Sequence, residues 1–131
     1  MADTVLFGDV EAALIDWLNT QLTPPVSDRV PKVTTEMLPL VVVERLGGPT
    51  VTVVTEQATV TVESWANGWK AANDLARAAR KATHDIAGQT VDGLVFYKVT
   101  EFAGPARVPD PISNKPRVVF TVSIMVRGIT S

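Results

Sequence analysis

The sequence predicts an α+β fold, in which an antiparallel or mixed β-sheet of about four to five strands packs against two helices as a two-layer sandwich. Three observations support this prediction. Two segments carry apolar residues at helical spacing, β-branched runs bounded by glycine and proline lie between and after them, and the last segment alternates between apolar and polar residues. A length of 131 residues, 46% of them apolar, is consistent with one domain spanning residues 1–131.

The first helix is predicted over about residues 9–21. Asp9 can accept hydrogen bonds from the free amides of the first turn. Pro24 and Pro25 follow the helix, and proline supplies no N–H donor. The positions expected to face the core recur three or four residues apart and are Val10, Ala13, Leu14, Trp17, Leu18 and Leu22.

A proline-rich stretch over residues 26–39 is predicted to be a loop, with a short edge strand at Arg29 and Val30. Residues 40–45 are mostly β-branched and predict a central strand. Gly47 and Gly48 come directly after this run. They predict a tight hairpin turn, a better interpretation than a phosphate-binding loop, because no lysine followed by serine or threonine comes after them.

Two further strands are predicted after this turn. The first, over residues 50–54, is expected to be more exposed, and residues 55–57 are expected to separate it from the second, over residues 58–65. In the second strand Val60 and Val62 share one face, because side chains alternate along a strand.

The second helix is predicted to begin at Asn67 as N-cap and to end at Gly88 as a left-handed cap. Its buried stripe is mostly alanine, so we expect the helix to lie close to the sheet. The residues of this stripe are Trp69, Ala72, Leu75, Ala76, Ala79, Thr83 and Ile86.

The last third of the chain predicts a strand over residues 94–102, a loop over residues 103–115 and a long strand over residues 117–127. Both long loops of the chain, at residues 26–39 and 103–115, exceed what packing needs, and such loops are often functional. Across all elements the core is expected to contain Val10, Leu14, Trp17, Leu18, Val42, Val60, Val62, Leu75, Ala79, Phe120, Val122 and Ile124.

The composition argues against catalysis. The chain has no cysteine and a single histidine, His84, so it predicts no catalytic pair, no cofactor site and no metal site. Twelve basic and fourteen acidic residues give a net charge of −2, which does not indicate a protein that wraps nucleic acid. We expect no signal peptide and no membrane contact, because the longest apolar run, residues 38–43, is far shorter than the roughly 20 residues that span a bilayer.

Charge is distributed unevenly along the chain. Acidic residues gather near the N-terminus, and basic residues gather in the last loop and strand. This pattern is consistent with ordinary surface scatter and equally with head-to-tail complementarity between copies. The mean hydropathy of +0.18 is high for a small solitary domain, which has much surface per residue and needs polar side chains to cover it.

Several motifs in order carry a family resemblance. They are GDVEAAL at 8–14, LPLVVVERLGG at 38–48, TVTVESWA at 59–66, Gly104-Pro105, PDP at 109–111 and PRVVFTV at 116–122. In this order and spacing the chain resembles the tail terminator proteins of bacteriophages with long, non-contractile tails. It departs from them where members often have an aspartate before the strand after the Gly-Gly turn, since Glu56 and Gln57 stand there.

The resemblance implies a structural protein without enzymatic activity. Such proteins form a ring, typically a hexamer, on the head-proximal end of the tail tube, end tube polymerisation and dock the head–tail connector. The implied partners are further copies of the chain, the major tail tube protein, the connector or stopper protein, the tape measure protein, and genomic DNA passing through the lumen without sequence-specific binding. The implied location is the tail or neck of a virion assembled in the host cytoplasm.

Subunit and tube contacts are then expected from loops and strand edges, namely at Glu44, Arg45, Arg107, Asp110, Lys115, Arg117 and Arg127. Two alternatives remain at this point. One is a head–tail connector, neck or tail-completion protein, since these share small α+β folds. The other is a small ferredoxin-like module that binds a ligand or RNA on its sheet.

Overall fold

The computed structural model describes residues 9–29, 32–47 and 55–128 and has the α+β fold predicted from the sequence. Two α-helices pack on one face of a six-stranded mixed sheet, which has more strands than expected. In chain order the elements are α1 (Val10–Gln21), β1 (Val26–Ser27), β2 (Leu40–Gly47), β3 (Thr55–Trp65), α2 (Trp69–His84), β4 (Thr90–Val91), β5 (Leu94–Arg107) and β6 (Arg117–Gly128), with a 3₁₀ turn at Thr35–Met37.

The strand order across the sheet is β1-β2-β3-β6-β5-β4. β1 runs parallel to β2, and all other neighbours are antiparallel. β3 and β6 form the centre, pairing from Thr55 opposite Arg127 to Trp65 opposite Arg117. This register places alternate residues of both strands on the face away from the helices, which we call the open face.

Both predicted helices are present. α1 begins after Asp9, whose carboxylate accepts the Ala12 N–H at 3.0 Å as predicted. The N-cap of α2 is Gly68 instead of Asn67, because the Gly68 carbonyl accepts the first helical hydrogen bond, from Ala72 N–H at 2.9 Å. Gly88 does not cap this helix, because the helix ends at His84. The backbone of Gly88 has a φ of +91°, and the Gly88 N–H donates to Phe96 O.

The first edge strand lies earlier than predicted. β1 is formed by Val26 and Ser27, and Arg29 is outside any strand, while Val30 lies outside the described residues. The reason is tertiary pairing: Val41 N–H donates to Pro25 O, and the Asn19 side-chain amide both donates to Val26 O and accepts from Val26 N–H, each at 3.0 Å. Pairing from both sides fixes the strand at this position.

Two other strands are longer than predicted. Residues 55–57 belong to β3 and do not separate two strands, because Glu56 turns its side chain to the helix face and pairs with Arg45. β5 continues through Gly104 and Pro105 to Arg107. No described strand pairs with the outer side of β5 at these residues, so the missing N–H of Pro105 leaves no strand without a partner there. The loop after β5 therefore covers only residues 108–116, and the strand predicted over residues 50–54 lies outside the described residues.

The main core lies between the sheet and the helices. The residues expected there are buried, with two differences. Trp17 is half-buried, and its indole N–H donates to Ala82 O at 2.8 Å. Val42 is buried on the open face, in a second cluster with Leu40 and Trp65 beneath residues 33–38.

Candidate functional site

The middle of the open face is polar and carries no charged side chain. Thr59, Thr61, Thr121 and Ser123 stand there side by side on β3 and β6 and are half-buried. Gln57 donates to Ser123 Oγ at 2.6 Å. These four side chains are neither aromatic nor basic, whereas exposed Lys98 and Phe102 of β5 lie at the border of this surface, beside Ser123.

A groove of about 540 Å³ lies at one end of the open face, where β2, β3 and β6 meet Arg29, Lys32, Val33 and the loop over residues 108–116. We call it the open-face groove. Its floor is apolar and its rim is charged with both signs. The lining residues are Arg29, Lys32, Val33, Val42, Glu44, Glu63, Trp65, Asp110, Ile112, Ser113, Lys115 and Arg117.

Arg117 is held in place inside this groove. Its guanidinium lies over the Trp65 ring at 5.3 Å from the centroid, and its Nε donates to Val108 O at 2.9 Å. Glu63 lies 3.7 Å from the same guanidinium and accepts from the Trp65 indole N–H at 3.0 Å. Trp65, Glu63 and Arg117 thus form one connected unit across β3 and β6.

The loop over residues 108–116 is braced by its own hydrogen bonds. The Asp110 carboxylate accepts from the N–H and the hydroxyl of Ser113 at 2.8 and 2.6 Å. These bonds, the hydroxyl bond foremost, hold the pKa of Asp110 below its usual value. Asn114 adopts a φ of +58°, and Asp110 N–H donates to Lys115 O.

At the tip of this braced loop the side chain of Ile112 is 96% exposed. Pro109 and Pro111 flank Asp110 on either side and restrict the backbone next to Ile112. A large apolar side chain presented by a rigid turn loses little conformational freedom when a partner covers it. The loop is therefore suited to make a specific protein contact.

The structure brings together four of the seven expected contact residues: Glu44, Asp110, Lys115 and Arg117 all line the open-face groove. Three lie elsewhere. Arg45 is on the helix face, where it pairs with Glu56 and donates its backbone N–H to the Glu11 carboxylate at 2.8 Å. Arg107 lies over the Trp69 ring at 5.3 Å, and Arg127 is exposed near the far end of β6.

Gly47 ends β2 with a φ of +124°, a conformation that favours glycine, and Gly48 lies outside the described residues. Sequence reasoning missed Arg29, Lys32, Glu63 and Ile112 as lining residues of the groove. Only Ile112 carried a local signal, since it follows two prolines in a polar loop. The others reach the groove through strand pairing that no local pattern specifies.

The single histidine of the chain lies apart from the open-face groove. His84, the last residue of α2, lies 3.5 Å from Glu101 and is half-buried. Among the described residues, no three histidine or carboxylate side chains stand close enough to hold a metal ion. None of the described helices is long and apolar enough to cross a membrane.

No protein-family model and no curated protein sequence matches the chain. Among solved structures the chain is similar to a chain in the virion of a native gene transfer agent particle. The two are 17% identical, the match covers 91% of this chain and 87% of that chain, and the TM-score is 0.44. A likeness of this extent does not bear on the function of the chain.

Proposed function

We propose that the protein is a structural component of a phage-like virion and, more specifically, a tail terminator. In this role six copies close as a ring on the head-proximal end of the tail tube and stop its polymerisation. The ring presents its other side to the head–tail connector. The 131 residues act as one domain without catalysis, and the protein is assembled in the host cytoplasm into the tail or neck of the virion.

The open-face groove is the observation that carries this proposal. An apolar floor surrounded by charges of both signs is the usual anatomy of a protein–protein contact. The groove is lined by residues from β2, β3, β6 and two loops, so a partner bound there contacts several elements of the fold at once. Three cations of its rim, Arg29, Lys32 and Lys115, form no ion pair with other described residues and are free to meet a partner's carboxylates.

The motifs that carry the sequence resemblance support the same role. Residues 109–111 and 116–122 form the braced loop and the start of β6, beside the groove. Residues 38–47 include β2, which supplies Val42 to the floor and Glu44 to the rim. We infer that this end of the sheet contacts the tail tube protein or a neighbouring subunit.

The direct test is to measure the mass of the purified protein by size-exclusion chromatography with light scattering, alone and with tail tube protein, and to image both samples by negative stain. We expect rings that cap tube ends and stop tube growth. A protein that stays monomeric with tube protein and leaves tube length unchanged contradicts the proposal. Rings that bind the connector but not the tube support the neck protein alternative instead.

Arg117→Glu tests the groove itself. The change places a carboxylate next to Glu63 and removes the cation from the Trp65 ring, so we expect at least a tenfold weaker assembly with tube protein and an unchanged circular dichroism spectrum. Lys98→Glu, the same change at an exposed site on β5 outside the groove, is the matched control and leaves assembly unchanged. Equal behaviour of the two variants excludes Arg117 from the interface.

A further inference from the structure

A second charged surface lies on the helix side of the molecule, away from the open-face groove. Arg77, Arg80, Lys81 and His84 of α2 and Glu101 of β5 line a depression of about 500 Å³, which we call the α2 groove. Glu101 binds both Arg80 and His84, and Lys81 pairs with Asp85 at 2.6 Å. Arg77 forms no ion pair within the described part of the chain, although its charge helps Lys70 to lower the pKa of Asp74, so the α2 groove presents a cation that no close carboxylate neutralises.

The opposite charge gathers around α1. Its residues Val10–Gln21 include no basic side chain, and Asp9 and Asp16 lie on its exposed stripe. Asp92 lies in the turn between β4 and β5, and the neighbouring carboxyl of Asp16 raises the pKa of Asp92. Among the described residues neither carboxylate has a cationic partner. We call Asp9, Asp16 and Asp92 the acidic edge.

The α2 groove and α1 flank opposite sides of α2. Trp17 of α1 donates to the carbonyl of Ala82, whereas Arg80 and His84 turn towards Glu101. Residues two positions apart on a helix point about 200° away from each other. A cationic surface and an anionic surface thus stand on opposite sides of one helix layer, which a head-to-tail contact between identical copies requires.

We propose that in the ring the acidic edge of one copy docks into the α2 groove of the next copy, with Arg77 meeting the carboxylates of Asp16 and Asp92. The proposal rests on the proposed function, because it assigns the contact that closes the ring. Each copy offers one surface to each neighbour, so the contact is heterologous and repeats around the ring. Charge complementarity gives the contact its direction.

The occupant we assign is a second copy of the chain and not nucleic acid. Glu101 stands inside the α2 groove and pairs with Arg80 and His84, so the groove offers few unpaired cations, whereas a nucleic acid is held by neutralising several phosphates at once. The net charge of −2 also disfavours a polyanion as the partner of the molecule as a whole.

Disulfide cross-linking tests the pairing, since the chain has no cysteine of its own. Asp16 and Arg77 are both exposed, so cysteines at these positions disturb no core. We expect the double variant Asp16→Cys with Arg77→Cys to form, on mild oxidation of the assembled ring, a covalent ladder up to the full ring. Either single variant, and Lys98→Cys combined with Asp16→Cys, is the control and gives dimers at most.

Charge exchange provides an independent measurement. We expect Asp16→Arg and Arg77→Asp each to raise the protein concentration needed for ring assembly at least tenfold. The double variant should return this concentration to within about threefold of the parent value.

If rings cap tubes but neither the covalent ladder nor the rescue by charge exchange is seen, the contact lies elsewhere and only this inference fails. If no ring forms with or without tube protein, the proposed function fails too. If Arg77→Asp abolishes binding of non-specific duplex DNA and leaves assembly intact, the α2 groove is a polyanion site and the inference is wrong.

Discussion

Asp110 shows how one side chain shapes the candidate site. Its carboxylate closes the turn by accepting two hydrogen bonds from Ser113, and this turn places Ile112 in solvent. Asp110 and Arg117 were expected as contact residues from their place in a long loop and at a strand edge, and this stays a prediction. The stacking of Arg117 on Trp65 was not predictable, because it depends on the register between β3 and β6, which brings residues 52 positions apart into contact.

The lowered pKa of Asp110 predicts a pH dependence with a definite sign. The pKa of the Asp110 carboxyl is lower in the folded than in the unfolded chain, so its ionised form stabilises the fold at any pH above the unfolded-state pKa of about 4. This contribution is lost as the pH falls through the pKa of the folded state. We therefore expect Asp110→Asn to lower the free energy of unfolding equally at about pH 5 and pH 7 and by progressively less below about pH 4. Urea unfolding of both proteins at each pH measures this; a constant difference down to about pH 2 contradicts it.

At the scale of elements, periodicity decided which segments were predicted well. α1 and β6 bury one regular face each, so their positions follow from the spacing of apolar residues. β1 and the outer half of β5 were misplaced because their positions depend on pairing with distant segments. Pro105 in particular breaks most strands and is accommodated here where the register of β5 with β6 shifts, between Ala103 and Ala106, and where no described strand pairs with the outer side of β5.

Asn19 has a structural role that can be tested at this scale. Its amide occupies both the N–H and the C=O of Val26, so Asn19→Ala leaves two main-chain groups of a buried residue unpaired. We expect the free energy of unfolding to fall by about 1–2 kcal/mol. Gln21→Ala, an exposed change at the end of the same helix, is the control and changes it by less than about 0.5 kcal/mol. Equal effects of the two changes would contradict a bracing role for Asn19.

The alanine stripe of α2 predicts a steric limit. Ala79 is fully buried against the sheet, whereas Ala78 next to it is exposed. We expect Ala79→Leu to lower the free energy of unfolding by about 1–3 kcal/mol through overpacking, and Ala78→Leu to change it by less than about 0.5 kcal/mol. Thermal or urea unfolding measures both. A stable Ala79→Leu protein would show that α2 can shift away from the sheet.

At the scale of the whole molecule, the sequence predicted the layers of the fold but not the open-face groove. Four expected contact residues meet there only because β2, β3 and β6 are neighbours in the sheet, and strand order is not encoded in any local pattern. The cationic residues Arg29 and Lys32 join them from a loop far away in the chain. A surface built from several elements therefore became visible only with the topology.

Ile112 tests whether the braced loop serves assembly. Because its side chain is 96% exposed, Ile112→Ser should leave the free energy of unfolding within about 0.5 kcal/mol of the parent. If the loop inserts Ile112 into a partner, we expect binding to tail tube protein to weaken about tenfold, measured by co-sedimentation with tubes. Phe102→Ser, at an exposed site on β5 away from the groove, is the comparison. Unchanged sedimentation of the Ile112 variant would remove the loop from the tube contact.

The two ends of the sheet constrain how copies of this protein can recognise one another. At β1 the Asn19 amide already takes the place of a further strand. At the other end β4 has only two residues, and beyond it β5 is made irregular by register shifts against β6 and by a proline without an N–H. Neither end offers a regular main-chain template, and main-chain templates accept almost any extended segment. Copies of the chain that associate therefore do so through side-chain surfaces. Such surfaces fit specific partners and do not extend without limit, as strand pairing can. In the tail terminator role proposed above, a chain that stops a polymer benefits from being unable to start one.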